Sequence, residues 1–223
     1  MNLARRLAAE ALGALLLAAT VIGSGILADS LTPDDAVALL GNTLATAAML
    51  VVLVLMFAGV SGAHFNPAVS LVMLLAREMS VRDAALYTLS QCVGAVCGAM
   101  LAHAMFELPL LQTGDIERSG VAMALSECAA TFALVLAILM VRRARPEAVA
   151  WTVGLVIAAG YWWTASTSFA NPAVTLARTL TATFAGVRPA DAPLFAAMQI
   201  VGALLALGAA RLFAPEKGHE RIV

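Results

Sequence analysis

The residues best suited to act on a small molecule are two short boxes, Asn66-Pro67-Ala68-Val69 and Asn171-Pro172-Ala173-Val174. Proline fits the first position of a helix, where its missing N–H would have no intrahelical partner. Asparagine before it is a preferred cap, because its side-chain oxygen accepts an N–H of the first turn. The amide NH2 is then free to face a conduit, and alanine is small enough to let two helix starts touch. Each start carries roughly half a positive elementary charge. Two starts facing each other repel a cation or hydronium and offer no carboxylate in exchange for its hydration shell. A neutral molecule meets two amide donors and passes. This is the chemistry of a filter. No Ser–His, His-Glu-x-x-His or carboxylate-pair arrangement points to an enzyme. The three cysteines, Cys92, Cys97 and Cys128, lack the paired spacing of a zinc site or disulfide frame and read as small buried packing residues. No metal, cofactor or nucleic-acid partner is expected.

Such boxes need an apolar frame. The 223 residues are 62% hydrophobic and 12% charged, roughly half the charge of a soluble domain. Six runs, at about 7–28, 37–60, 83–106, 120–141, 148–166 and 192–213, are each long enough to cross a lipid bilayer as a helix. The first shows no clean cleavage pattern and reads as a retained span rather than a signal peptide. The stretches 67–76 and 172–181 that follow the boxes are too short to cross. At membrane depth such pieces persist only inside protein or along a wet cavity. Ten of the thirteen basic residues (Arg5, Arg6, Arg77, Arg82, Arg142, Arg143, Arg145, Arg211, Lys217 and Arg221) fall on one side of this plan. The other side holds Asp29, Asp34, Asp35, Glu107, Asp115 and Glu117, with only Arg118, Arg178 and Arg188. The positive-inside rule then places both termini in the cytoplasm of a multi-pass protein of the inner (plasma) membrane.

Within one channel domain over 1–223, the halves 1–119 and 120–223 echo each other. Glu10 precedes the first box by 56 residues, and Glu127 precedes the second by 44. Three spans per half force the second half to start from the opposite face, so a pseudo-two-fold axis lies in the membrane plane. The two short stretches enter from opposite sides and their starts meet near the middle. Glu10 and Glu127 sit near span starts; carboxylates inside a membrane are paired or functional, unless they snorkel to the headgroups. His64, two residues before Asn66, reads as a loop-packing residue, with a pH gate as the alternative. Gly94 and Gly98, four apart, suggest close helix packing. Trp151, Tyr161, Trp162 and Trp163 read mostly as interfacial anchors.

The twin boxes in matching register, each behind an apolar span and a glutamate, resemble the aquaporin and glycerol-facilitator superfamily over essentially the full length. The resemblance implies an all-α membrane fold of six transmembrane helices and two re-entrant half-helices, with a pore in every protomer and a homotetramer in the bilayer. It implies that Glu10 and Glu127 accept hydrogen bonds from the backbone of the pore loops. It also implies passive passage of small neutral solutes.

The resemblance breaks at the outer constriction. Family members usually carry arginine after the second box, and here Val174 stands there. Glycerol facilitators typically follow that arginine with aspartate, where this chain has Thr175. Counting as in relatives gives Thr46 from span two and Ser168 from the loop. The span-five partner is Tyr161 by alignment on Gly154, or Ala159 by counting back from Asn171. A ring of Thr46, Tyr161 or Ala159, Ser168 and Val174 lacks the fixed cation. It should be wider than a water-only filter and admit glycerol, urea or neutral metalloid hydroxides such as arsenous acid. Arg178 lies four residues beyond Val174 on the same face. It either puts a positive charge one turn further out, in a vestibule where it could attract anions or weakly acidic solutes, or anchors at the surface. The rival functions are a coupled secondary transporter, for which inverted repeats with broken helices also serve, and a non-conducting structural protein on the same fold.

Overall fold

The computed structural model describes residues 2–213; Lys217 and Arg221 lie outside the described residues. Eight α-helices carry the described residues. Helix α1 (Leu3–Leu31) starts at Asn2, whose side chain accepts the N–H of Arg5. Helix α2 (Asp35–Ser61) starts at Asp34, which accepts from Ala36 and Val37, and ends at Gly62 in the left-handed region, φ 92°. Helix α3 (Pro67–Leu75) follows the first box. Helices α4 (Val81–Met105) and α5 (Val121–Ala144) come next. A 3-10 turn (Pro146–Ala148) leads into α6 (Val149–Trp163). Helix α7 (Pro172–Arg178) follows the second box, and α8 (Ala192–Leu212) completes the set.

Five of these helices, α1, α2, α4, α5 and α8, have 21–29 residues and mean hydropathies of 1.5–2.4 over their most apolar windows. At ~1.5 Å per residue even 21 residues reach about 32 Å, enough for a ~30 Å hydrocarbon layer. Helix α6 is shorter than the expected 148–166, at 15 residues. It stops at Trp163 because the chain there turns into the loop that feeds the second box.

The packing repeats between halves. Helix α1 lies along α4 as α5 lies along α8; α1 also meets α2 as α5 meets α6, and α2 packs on α6 between the halves. The short helices α3 and α7 each touch both α4 and α8 or their immediate neighbours, and touch each other. The glycine expectation holds: a Cβ on Gly94 or Gly98 would overlap the carbonyl oxygens of Ala11 and Leu15, and one on Gly202 that of Cys128. The α1–α4 and α5–α8 backbones therefore approach by the same device.

The cysteine expectation holds in part. Cys128 is buried, but Cys92 is half-buried and Cys97 is exposed. At 100° per residue, Cys97 is turned off the face that Gly98 presents to α1. Trp151, Trp162 and Trp163 face outward, in an outer surface that also shows Val52, Leu55 and Leu155. Tyr161 departs from the anchor reading: it is buried and points into the bundle.

Candidate functional site: a conduit between two half-helices

The loops ahead of the boxes are bent against the backbone's preferences. Ala63 and Phe65 in the first, and Thr167, Ser168 and Ala170 in the second, have φ between 47° and 61°. A non-glycine residue in the left-handed region costs ~1–2 kcal/mol, so something must hold these segments. The two glutamates do. Glu10 Oε1 accepts from Ser61 Oγ (2.6 Å) and the His64 N–H (3.0 Å), and Oε2 from the Phe65 N–H (2.7 Å) and Gln91 Nε2 (2.8 Å). Glu127 Oε1 accepts from Ser166 Oγ (2.5 Å) and the Phe169 N–H (3.0 Å), and Oε2 from the Ala170 N–H (2.9 Å) and Gln199 Nε2 (2.6 Å). Both carboxylates are fully buried, not at the headgroups. Each glutamine also donates to the hydroxyl of Ser70 or Thr175, on α3 and α7, at 2.9 Å.

The boxes cap as their residue types dictate. Asn66 Oδ1 accepts the Ala68 N–H (2.9 Å), and Asn171 Oδ1 accepts those of Ala173 (2.9 Å) and Val174 (3.3 Å). Their amide groups are not wholly free, contrary to the simple capping argument. Asn66 Nδ2 donates to Ala170 O (2.7 Å), and Asn171 Nδ2 to Phe65 O (2.8 Å). Each box is tied to the loop of the other, which clamps the two helix starts together. One amide N–H on each asparagine remains for a passing solute.

Three cavities form an hourglass. The waist, about 60 Å³, is lined by both asparagines, His64 and Ser168 among apolar residues from α1, α2, α5 and α6. At the ~10–15 Å³ one water needs, a waist of about 60 Å³ takes roughly four to six waters. One end opens into a chamber of about 430 Å³ bordered by Arg6, Glu78, Arg142 and Glu147, which shares His64 and Val69 with the waist. The other opens into a chamber of about 520 Å³ bordered by Asp29, Asp35, Arg118 and Thr183, which shares Arg178 with the waist. In the chamber of about 430 Å³ Arg142 makes a two-pronged contact with Glu78, one arm at 2.7 Å. Those hydrogen bonds, against an opposing push from partial burial, hold the Glu78 carboxyl below its ordinary range.

Thr46, Tyr161, Ser168 and Val174 all line the waist, and the Tyr161 hydroxyl lies 3.4 Å from Thr46 Oγ1. Ala159 does not; it is exposed on the outer face of α6. Helical phase explains the difference. Tyr161 lies seven residues, nearly two turns, from the buried Gly154 and four from Ile157, whereas Ala159 is rotated about 160° from Tyr161. Arg178 is buried at 3% exposure and borders the waist, so it is no surface anchor. His64 lines the waist, with Nδ1 3.0 Å from Ser70 Oγ. Sequence reasoning missed Gln91 and Gln199. A matched glutamine in the third span of each half was the available signal. Arg118, in the loop before α5, gave none.

The major intrinsic protein family model matches residues 1–147. The aquaglyceroporin AqpS of Rhizobium meliloti (strain 1021) is 55% identical over 94% of this chain and 90% of its own. This chain belongs to the major intrinsic protein family. Like its family, it is a passive membrane channel for small solutes and not an enzyme. A probable aquaporin PIP2-8 of Oryza sativa subsp. japonica is 44% identical over a shorter stretch, 47% of this chain and 37% of that protein. The X-ray structure of the aquaglyceroporin from Plasmodium falciparum shares the fold, with a TM-score of 0.69 over 93% of this chain and 95% of that one at 21% identity.

Proposed function

We propose that this major intrinsic protein conducts glycerol and other small neutral solutes, water among them, through a waist selected by Thr46, Tyr161, Ser168 and Val174. The observation that carries the reading is Val174 in the wall of the waist. Val174 puts no guanidinium of its own into the ring, although Arg178 borders the same waist, and the rest of the wall is largely apolar. Such a wall favours solutes with some carbon surface over water alone. The likeness to an aquaglyceroporin across nearly the whole chain supports the same solute class. Urea and neutral metalloid hydroxides such as arsenous acid have the size and neutrality to follow.

Asn66 and Asn171 donate to the solute at the crossing point. Pro67, Ala68, Pro172 and Ala173 form the opposed helix starts that repel cations. Glu10 and Glu127 hold the loops, and His64 packs the first loop at the inner mouth. The matched hydrogen bonds of Glu10 and Glu127 support two inverted repeats, 1–119 and 120–223. The chamber bordered by Arg6 and Arg142 faces the cytoplasm, as do the termini, in the inner membrane. The apolar outer surface suits lipid and a homotetramer.

The test is stopped-flow light scattering on proteoliposomes with water, glycerol, urea and arsenous acid in turn. Glycerol flux well above that of empty vesicles is the expected result. Water flux with no glycerol flux would refute the solute assignment.

A further inference from the structure

Phe169 carries a cation on its ring from two directions. The Arg178 guanidinium carbon lies 3.3 Å from the ring centroid, and that of Arg118 lies 5.4 Å away. Among the described residues each arginine side chain donates only through its Nε, Arg178 to Ala185 O and Arg118 to Gly186 O at 3.0 Å. No hydrogen bond to either pair of Nη groups is made by the described residues, and neither guanidinium has an ion-pair partner among them. Arg178, 3% exposed, borders both the outer chamber and the waist. The neighbouring carboxylates are otherwise engaged. Asp191 and Glu117 both pair with Arg188, and Asp191 also accepts the Arg118 backbone N–H at 2.9 Å. Asp29 and Asp35 border the same chamber from α1 and α2 but are exposed and come within ion-pair reach of neither arginine.

Two planar, weakly hydrated cations, held against one aromatic ring and lining the same chamber, with donors left over, suit a small oxyanion. Guanidinium groups match the spacing of carboxylate and phosphate oxygens and bind them in pairs of hydrogen bonds. Stacking on the ring fixes both groups before a ligand arrives. We infer that Arg118 and Arg178 form an oxyanion-binding site at the floor of the outer chamber, and that an occupying anion stands in the mouth of the waist and slows neutral flux. The anion does not follow the solute inward, because the narrow waist is mostly apolar and its two asparagine amides offer too few donors to replace a hydration shell.

Glycerol flux into phosphatidylcholine vesicles containing the purified channel is measured with inorganic phosphate replacing chloride at constant ionic strength. Phosphate is expected to slow the wild type at least about 5-fold with saturation. In Arg118→Gln and Arg178→Lys, half-inhibition should require at least about tenfold more phosphate. Thermal unfolding in detergent reads occupancy without flux, and phosphate should raise the wild-type midpoint more than chloride does. No phosphate effect on either readout, or an equal effect in Arg118→Gln, would overturn the site. Slowing by phosphatidylglycerol in the vesicles in place of free phosphate would overturn it too, assigning the arginines to lipid headgroups. Failure of glycerol flux in phosphate-free buffer would count against the solute reading alone, because the unfolding shift still reports on the arginines.

Discussion

Glu127→Gln is a one-atom change with a calculable effect. The carboxylate accepts four donors, two on each oxygen. A glutamine has one acceptor oxygen, so whichever way its amide turns, an NH2 faces two donors. Turned toward Ser166 and Phe169, it can be received by the serine hydroxyl, but the Phe169 N–H is stranded. Turned toward Ala170 and Gln199, it is received only if Gln199 flips to present Oε1, an atom with no partner in the native network. That flip gives up the bond from Gln199 to Thr175 and strands the Ala170 N–H. Either way one buried backbone donor goes unsatisfied, at ~1–3 kcal/mol, and the remaining bonds lose charge assistance of about 1 kcal/mol or more between them. The sum is about 2–5 kcal/mol against a folded-state stability of ~5–15 kcal/mol. The protein should fold, with a melting midpoint lower by ~5–15 °C on the scaling for chains of this size and with much reduced solute flux. Glu10→Gln should match it, since Glu10 accepts the same kinds of donor. Thermal unfolding of the purified variants, with glycerol flux on the same samples, is the assay. Wild-type midpoints and flux in both would refute the anchoring role.

Val174→Arg restores a guanidinium to a waist of about 60 Å³; proteoliposome assays should show glycerol flux falling at least about tenfold and water flux much less. Tyr161→Ala should raise urea and glycerol flux severalfold by removing one wall, while Ala159→Leu, on the outer face, should leave every solute's rate unchanged. Glu78→Gln should cost only a few tenths of a kcal/mol near neutral pH, because Glu78 is 44% exposed and the pair is solvent-screened. Its folded-state pKa is depressed, so the stabilisation is present above the ordinary carboxylate range and disappears as pH falls through the lowered value. Wild-type and variant melting curves should therefore converge in acid.

The duplicated boxes were the part of the site most legible in the sequence. Asn66 and Asn171, with their prolines and glutamates, stand in register, and their caps follow from residue type alone. Thr46, Ser168 and Val174 lay at fixed counts from a box and landed in the waist. The span-five residue could not be counted, because α6 ends early and the loop behind it absorbs the difference. Helical phase from Gly154 decides for Tyr161. Gln91 and Gln199 were also written twice, but the role of a lone amide in an apolar run shows only when the helices pack and bring it to a glutamate. Arg118 was hidden more deeply: its meeting with Phe169 depends on a loop path that local residue preferences do not determine.

The central claim is that two opposed helix starts let neutral molecules through and keep cations out. The direct measurement is glycerol flux and electrical conductance on the same purified preparation. The account predicts flux that rises linearly with the glycerol gradient, indifferent to any imposed sodium or proton gradient, with no single-channel current. Saturating flux driven by an ion gradient, or a measurable cation current through the wild type, would contradict it.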